Sequence, residues 1–223
     1  MKIEIITTGD SSKTLHLPAI NEQYHSKHGA LTEANHVYIQ KGLEHLFESD
    51  SKSPSLTVFE LGFGTGMNAV LTAVKMTERG HEVCNYVTVE PHLLSSAHYS
   101  VFESEPWASP ELYSAMHKAA VGEWTAITPH FNLLKLNTTF EDFTTELCFD
   151  LIYYDAFGPR VQPELWEPWA LDKCAGLLCD RGIWVSYCAK GTVRRGLEAT
   201  GLSVERLPGP PGKREMLRAE KTK

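Results

Sequence analysis

The sequence predicts an α/β fold: a mostly parallel seven-stranded sheet with an antiparallel last strand, preceded by a small hairpin and helix extension. Three observations carry this. From residue 56 onward, short apolar runs alternate with helical stretches. Those runs are nearly continuously apolar, as strands covered on both faces must be, and that is the habit of parallel sheets. The last two runs are joined only by "LPGPPGK", which is too short for a crossover helix. The last strand therefore runs antiparallel to its neighbour, at the edge of the sheet.

The elements follow in order. "KIEIITT" alternates like a strand, and "TLHL" pairs with it as a hairpin. From Leu31 a helix runs through Val37, Ile39, Leu43 and Leu46, with a mixed apolar face. The polar stretch "ESDSKSPS" connects it to the rest. Residues 1–50 thus form an N-terminal extension packed on the core, and 51–223 form one compact domain. The strands are "LTVFEL", "NYVTVE", "FNLLKL", "DLIYYD", "GIWVSYC", "GLSVERL" and "REMLRAE", with helices near 67–79, 92–103, 110–120, 140–146, 163–178 and 191–200.

A chain of 223 residues with 42% hydrophobic and 22% charged residues has the makeup of an ordinary globular domain. It shows no signal-peptide core and no apolar run of membrane-spanning length, so a cytoplasmic protein is expected. The five cysteines include no C-x-x-C pair and read as buried, reduced thiols. Net charge is −7, yet residues 190–223 carry nine Lys/Arg against four Glu. A basic tail on an acidic body fits a phosphate-bearing partner, and equally fits a solvated terminal helix and strand.

The stretch "VFELGFGTGMN" carries the chemistry. An apolar strand ends at Glu60, and Gly62, Gly64 and Gly66 then leave bare backbone just before a helix. The first N–H groups of that helix lack intrahelical partners, and glycine lets a ligand approach them closely. The spacing is not the dinucleotide G-x-G-x-x-G, because Met67 stands where its third glycine belongs. It resembles instead the E-x-G-x-G-x-G loop that receives S-adenosylmethionine. In that architecture Glu90, ending the second sheet strand, accepts both ribose hydroxyls with its two oxygens. The alternative is a solvent-facing strand-end acid. Asp142 is a candidate for the adenine amino group, with Phe140 or Phe143 flanking the ring, or else part of a short helix capped by Thr139. Asp155 ends "DLIYYD" and precedes Phe157, Gly158 and Pro159, where such enzymes meet the methyl acceptor. It could also simply cap the following turn.

Four blocks in order, "NEQYHSKHGALTEANHVYI", "ELGFGTGMN", "YYDAFGPRVQPELW" and "GPPGKREM", resemble one family. It is the methyltransferase domain of the bacterial tRNA 5-methylaminomethyl-2-thiouridine enzyme MnmC, including stand-alone versions. The resemblance spans about residues 20 to 220 and implies a Rossmann-like class I methyltransferase. It implies methyl transfer from S-adenosylmethionine to the amine of 5-aminomethyl-2-thiouridine at the tRNA wobble position. Asn68 would join the cofactor loop, and Asp155 would orient the amine. The bifunctional members also carry an FAD oxidase domain. None is expected here, which leaves room for a separate FAD-dependent tRNA-modifying partner. The family's G-x-G-[RK]-K-R type block is altered to "GPPGKREM", though Lys213 and Arg214 remain.

In "YHSKHGALTEANH", Tyr24 and Glu33 are candidates for shaping the cofactor or acceptor pocket. His25, His28 and His36 are spaced too loosely for a metal set, and methyl transfer needs none. Lys190, Arg194, Arg195, Lys213 and Arg214 would line a tRNA phosphate face, or form helix-surface charge. Two rivals are a methyltransferase for a small amine, favoured by the negative net charge, and a non-catalytic binder of cofactor or tRNA, disfavoured by Asp155 beside "FGP".

Overall fold

A computed structural model of the chain describes residues 2–48, 55–80, 82–107 and 109–222. The proposed boundary at residues 50/51, and most of the polar connector around it, lie outside the described residues. Two sheets are present among the described residues. A small one has the order β1-β2-β3, from Glu4–Thr7, Lys13–Leu17 and Glu22–Gln23. The first two strands form the expected hairpin, with Glu4 opposite His16.

The long helical segment follows: α1 (Ala30–Ala34), a π-helical stretch Asn35–Glu44, and α2 (His45–Glu48). The wider π turn explains the mixed apolar pattern, because it brings Val37, Tyr38, Ile39, Gly42 and Leu43 to the buried side together. Gly42 lies close against the sheet. A Cβ there would stand 3.1 Å from Val185 Cγ2 and 3.3 Å from Tyr153 Cε1.

The main sheet is built from β4 (Ser55–Leu61), β5 (Val83–Val89), β6 (Trp124–Thr128), β7 (Phe131–Leu136), β8 (Phe149–Tyr154), β9 (Leu178–Ser186), β10 (Leu202–Pro208) and β11 (Glu215–Lys221). The helices between them are α3 (Met67–Arg79), α4 (Ser96–Tyr99), α5 (Pro110–Lys118), α6 (Pro168–Leu177) and α7 (Gly191–Ala199). The strand order is β10-β11-β9-β8-β4-β5-β7-β6, and β9, β8, β4, β5 and β7 run parallel. Both faces are covered. Val58, Tyr86, Leu133, Leu151 and Val185 pack on one side, while Phe59, Val87, Ile152, Tyr154 and Trp184 pack on the other. That is why these strands read as continuous apolar runs.

The structure departs from the sequence reading in several places. Among the described residues the sheet has eight strands, because β6 joins antiparallel to β7 at one edge. The antiparallel β11 is not an edge strand; it inserts between β9 and β10 and pairs with both. No helix forms over 140–146. Thr139 caps the Asp142 amide and Thr145 the Leu147 amide, and such side-chain bonds compete with a helix. The helix expected over 92–103 shrinks to α4 and a 3₁₀ turn at Ser100–Phe102. The one expected over 163–178 splits into a 3₁₀ turn (Pro163–Trp166) and α6, since Pro168 holds Glu167 extended. Finally, the cysteines are not all free. Cys148 and Cys179 form a disulfide joining the starts of β8 and β9, while Cys84, Cys174 and Cys188 are buried thiols. A pair 31 residues apart in sequence leaves no spacing signal. Among the described residues, no helix is long and apolar enough to cross a membrane.

Candidate active site

The chain reverses its direction of travel across the sheet beside β4: β5 lies on one side and β8 on the other. A crevice forms at the carboxyl ends of strands wherever this happens. Here a cleft of about 920 Å³ opens at that point. Its floor includes Gly62, Gly64 and Met67, one wall carries Glu90 and His92, and the other carries Asp155 and Phe157. The small sheet forms a roof through Ile3, Leu17 and Ile20. That roof is tied down on both sides. Lys13 pairs with Glu105 at 2.9 Å, and Arg160 reaches the Asn21 carbonyl at 3.0 Å and Glu22 at 3.1 Å.

The glycine loop is held open by its backbone. Gly64 has φ +51 and lies under Tyr24; a Cβ there would come within 3.1 Å of Tyr24 Cδ1. Gly66 caps α3 with φ +77. Thr65, fully buried between them, receives three contacts. Its carbonyl accepts from the Tyr113 hydroxyl at 2.8 Å and meets His117 Nε2 at 3.0 Å, and its hydroxyl meets His25 Nε2 at 2.7 Å. Burial pushes the His25 and His117 imidazoles down to about 4, so both are neutral struts near pH 7.

Glu90 stands where expected, just past β5. Its Oε2 accepts from the Gly64 amide at 3.2 Å and its Oε1 from the His92 amide at 2.8 Å. Tyr24 faces it across the cleft, and burial together with the Glu90 charge pushes the phenol up to about 12. Tyr24 also meets Phe157 edge-to-face with ring centroids 5.4 Å apart.

Asp155 ends β8 at the cleft wall. Tyr38 donates to its Oδ1 at 2.6 Å and Asn68 Nδ2 donates to its Oδ2 at 2.8 Å. Burial raises its carboxyl to about 6, against the opposing effect of those two donors.

Other sequence candidates lie elsewhere. Glu60 is 1% exposed and lies outside the cleft lining, behind the loop. Burial, and after it the nearby Asp155, hold its carboxyl well above the usual range. Asp142 turns away, receiving the Thr139 hydroxyl at 2.8 Å, and it is the neighbouring Glu141 that lines the cleft with Thr139 and Phe140. Phe143 stacks on Phe59 inside the core, 5.0 Å away. Pro159 does not line the cleft; Val161 and Gln162 do. Glu33 is buried and paired with Lys213, whereas Arg214 is exposed. Lys190 and Arg195 are exposed, and Arg194 pairs with Glu198. His28 packs against Gly212 and His36 bonds the Pro208 carbonyl, so the three histidines are apart from one another in role. Among the described residues no cluster of three or more His, Cys, Asp or Glu is placed to hold a metal ion.

Tyr38, Tyr187 and His92 were missed in the sequence. Tyr38 sits 117 positions from its partner Asp155 and carries no motif.

Comparison with known proteins agrees with this geometry. A family model described as S-adenosyl-L-methionine-dependent methyltransferase matches residues 109–222. The bifunctional tRNA 5-methylaminomethyl-2-thiouridine biosynthesis protein MnmC of Burkholderia mallei (strain NCTC 10229) is 28% identical over 225 residues, covering 91% of this chain and 33% of that protein. Its counterpart in Burkholderia thailandensis is 30% identical with the same coverage. The chain thus spans about one third of the length of these relatives. Among solved structures, MnmC2 from Aquifex aeolicus superposes with a TM-score of 0.80 at 25% identity, over 98% of this chain and 70% of that one. Spermidine synthase from Thermotoga maritima shares the fold, with a TM-score of 0.60 at 11% identity over 98% and 69% of the two chains.

Proposed function

The chain belongs to the S-adenosyl-L-methionine-dependent methyltransferase family, and from that premise we propose that it methylates the amine of a 5-aminomethyl-(2-thio)uridine at the tRNA wobble position. The cofactor supplies an electrophilic methyl group on a sulfonium. The residues present fit it. Gly62 and Gly64 leave bare backbone on the cleft floor before α3, Gly66 turns the chain into that helix against the Phe63 and His117 rings, and Glu90 offers two carboxylate oxygens just past β5. Tyr24 and Asn68 also line the cleft and are assigned to the cofactor, with Phe157 assigned to the acceptor.

The observation that carries the reading is Asp155. A lysine-like ammonium costs about 4.6 kcal/mol to neutralise at pH 7, so an amine acceptor needs somewhere to put its proton. Asp155 is an anion near neutral pH with an affinity for protons raised by burial. Tyr38 and Asn68 each take one lone pair of its carboxylate and fix its plane. The lone pairs left free can orient the amine, relieve the cation formed on methylation and accept its proton. Holding the amine in line contributes more to rate than the proton transfer itself. Phosphate contact falls to the exposed Lys190, Arg195 and Arg214.

Mass spectrometry of nucleosides from tRNA incubated with the enzyme and cofactor tests this. One added methyl on aminomethyl-thiouridine is the expected result; no gain on any uridine would overturn it. A small cationic amine is the second reading, favoured by Glu90, Glu141 and Glu164 along the cleft. Direct competition between bulk tRNA and small amines separates the two.

A further inference from the structure

Phe157, on the wall that carries Asp155, is held at both its amide and its carbonyl. Trp166 Nε1 donates to the carbonyl at 2.8 Å, and the amide donates to Gln162 Oε1 at 3.0 Å. Tyr187, just past β9, holds the preceding residue by donating to the Ala156 carbonyl at 2.8 Å. The turn that follows closes on itself. Val161 N and Gln162 N both donate to the Gly158 carbonyl, at 2.8 and 3.2 Å. Pro163 then keeps Gln162 out of the helical region, at φ −126° and ψ 65°. The chain thus brings Gln162 back against Phe157, where it lines the cleft.

A backbone N–H can only donate, so the atom of the Gln162 side chain that faces it is the carbonyl oxygen. That fixes which way the amide is turned. Nε2 carries two N–H donors, is turned away from the Phe157 amide, and has no hydrogen-bond partner among the described residues. Gln162 is half-buried and lines the cleft, so these donors are open to a ligand rather than sealed in the core. Asp155 supplies acceptor oxygens on the same wall, two residues before the amide that Gln162 holds. The Phe157 ring, edge-to-face with Tyr24, offers a planar ligand an apolar surface beside them.

This donor and acceptor pair matches one edge of a pyrimidine. In a 5-aminomethyluracil, the ring carbon next to the one bearing the aminomethyl group carries a carbonyl oxygen, an acceptor. A cytosine of the same shape carries an amino group there, a donor. We propose that Gln162 is a specificity-determining residue: its Nε2 donates to the ring carbonyl beside the aminomethyl group, so uracil-type acceptors are taken and cytosine-type acceptors are rejected. This rests on the acceptor being an aminomethylated uracil. With cytosine, two donors would face each other, and both would be left unpaired in a partly desolvated site.

The test uses two anticodon stem–loop RNAs that differ only in the wobble base, 5-aminomethyluridine or 5-aminomethylcytidine. Each is assayed with S-adenosylmethionine for kcat/KM with wild type, Q162E and Q162M, all checked for folding by thermal melting. Q162E keeps an oxygen for the Phe157 amide but replaces the free donor with an acceptor, whereas Q162M keeps the length and removes both. Wild type should favour the uracil RNA by about tenfold or more. Q162E should lower that ratio by about tenfold or more, losing on uracil and gaining on cytosine, and Q162M should bring it near one. The charge that Q162E adds acts on the same ammonium in both substrates, so it cancels in the ratio. A residue that only holds the Phe157 peptide would lower both rates together. A ratio that Q162E leaves at the wild-type value therefore overturns the proposal, and Q162M decides in the same way if Q162E does not fold. Wild type acting equally on both RNAs removes this inference alone. Wild type acting on neither removes the aminomethyluridine reading, and this inference with it.

Discussion

Asn68 donates from Nδ2 to Oδ2 of Asp155 across 2.8 Å, and so joins the first turn of α3 to the end of β8. The two ends of the reaction are therefore not mounted independently. The glycine loop leads directly into α3, and the same helix start holds Asp155, the acid proposed to meet the acceptor. A cofactor settling on the loop meets an acid whose plane is already fixed by that helix and by Tyr38.

Asp155→Asn should leave cofactor affinity within a fewfold of wild type and lower kcat by about 10²-fold or more, the usual scale for a lost proton acceptor. The cradle at Gly64 and Glu90 is untouched, so calorimetric titration with S-adenosylmethionine isolates the binding step. Unchanged turnover would remove Asp155 from the mechanism.

Asp155 also makes a pH prediction with a definite sign. Its carboxyl is raised from 3.8 to about 6 in the folded chain, so the native state holds the proton more tightly than the unfolded one. The fold is thus penalised at pH above 6, by about 2–3 kcal/mol if cleft water screens part of the effect, and the penalty fades as pH falls towards 4. Asp155→Asn lacks this penalty. Its stability relative to wild type should rise by about that amount between pH 4.5 and pH 8, as read from denaturant unfolding. In the same native enzyme, kcat should climb with pH through about 6 as Asp155 ionises. A flat stability difference would mean the carboxyl is not perturbed.

How much of this was legible in the sequence depended on whether the signal was local. The strand, turn and helix start of "LTVFELGFGTGMN" read correctly because they are one continuous stretch, although Gly66 serves the turn into α3 and does not line the cleft as Gly62 and Gly64 do. Asp155 is legible for the same reason, as the polar end of an apolar strand. The partners of Asp155 are not. Tyr38 lies 117 positions from Asp155, and Lys213 lies 180 positions from its own partner Glu33, so only the fold brings each pair together. Asp142 fails by one position. In a turn rather than a helix, the cleft-facing side chain shifts to Glu141. Glu60 fails because a strand alternates faces, and its own side points into the core beside Asn68 and Tyr86 rather than into the cleft.

Gly64→Ala should damage both fold and binding. At φ +51 an L-residue costs about 1 kcal/mol or more, and the new Cβ would press on Tyr24 from 3.1 Å. Tyr24 must then move off the loop and away from Phe157, opening the cleft on the cofactor side. The expected outcome is a lower melting temperature together with at least about tenfold weaker S-adenosylmethionine binding. Tyr24→Ala in the Gly64→Ala background should recover part of the stability, because it removes the collision but not the backbone strain. No recovery would place the whole cost in the backbone.

Glu90→Ala separates the cofactor from the acceptor. Its carboxylate ties the Gly64 amide on the cleft floor to the His92 amide on its own wall, so truncation frees both backbone segments at once. Each loses one hydrogen bond worth about 1 kcal/mol, partly replaced by water because the residue is only half-buried. Asp155, Tyr38 and Asn68 lie across the cleft and keep their mutual bonds. The variant should therefore raise KM for S-adenosylmethionine about tenfold or more, while kcat at saturating cofactor changes little and its acidic limb stays where it was. Glu90→Gln, which keeps one acceptor oxygen, should fall between the two. An equal loss in kcat with KM unmoved would show that Glu90 acts on the methyl transfer itself and not on holding the donor.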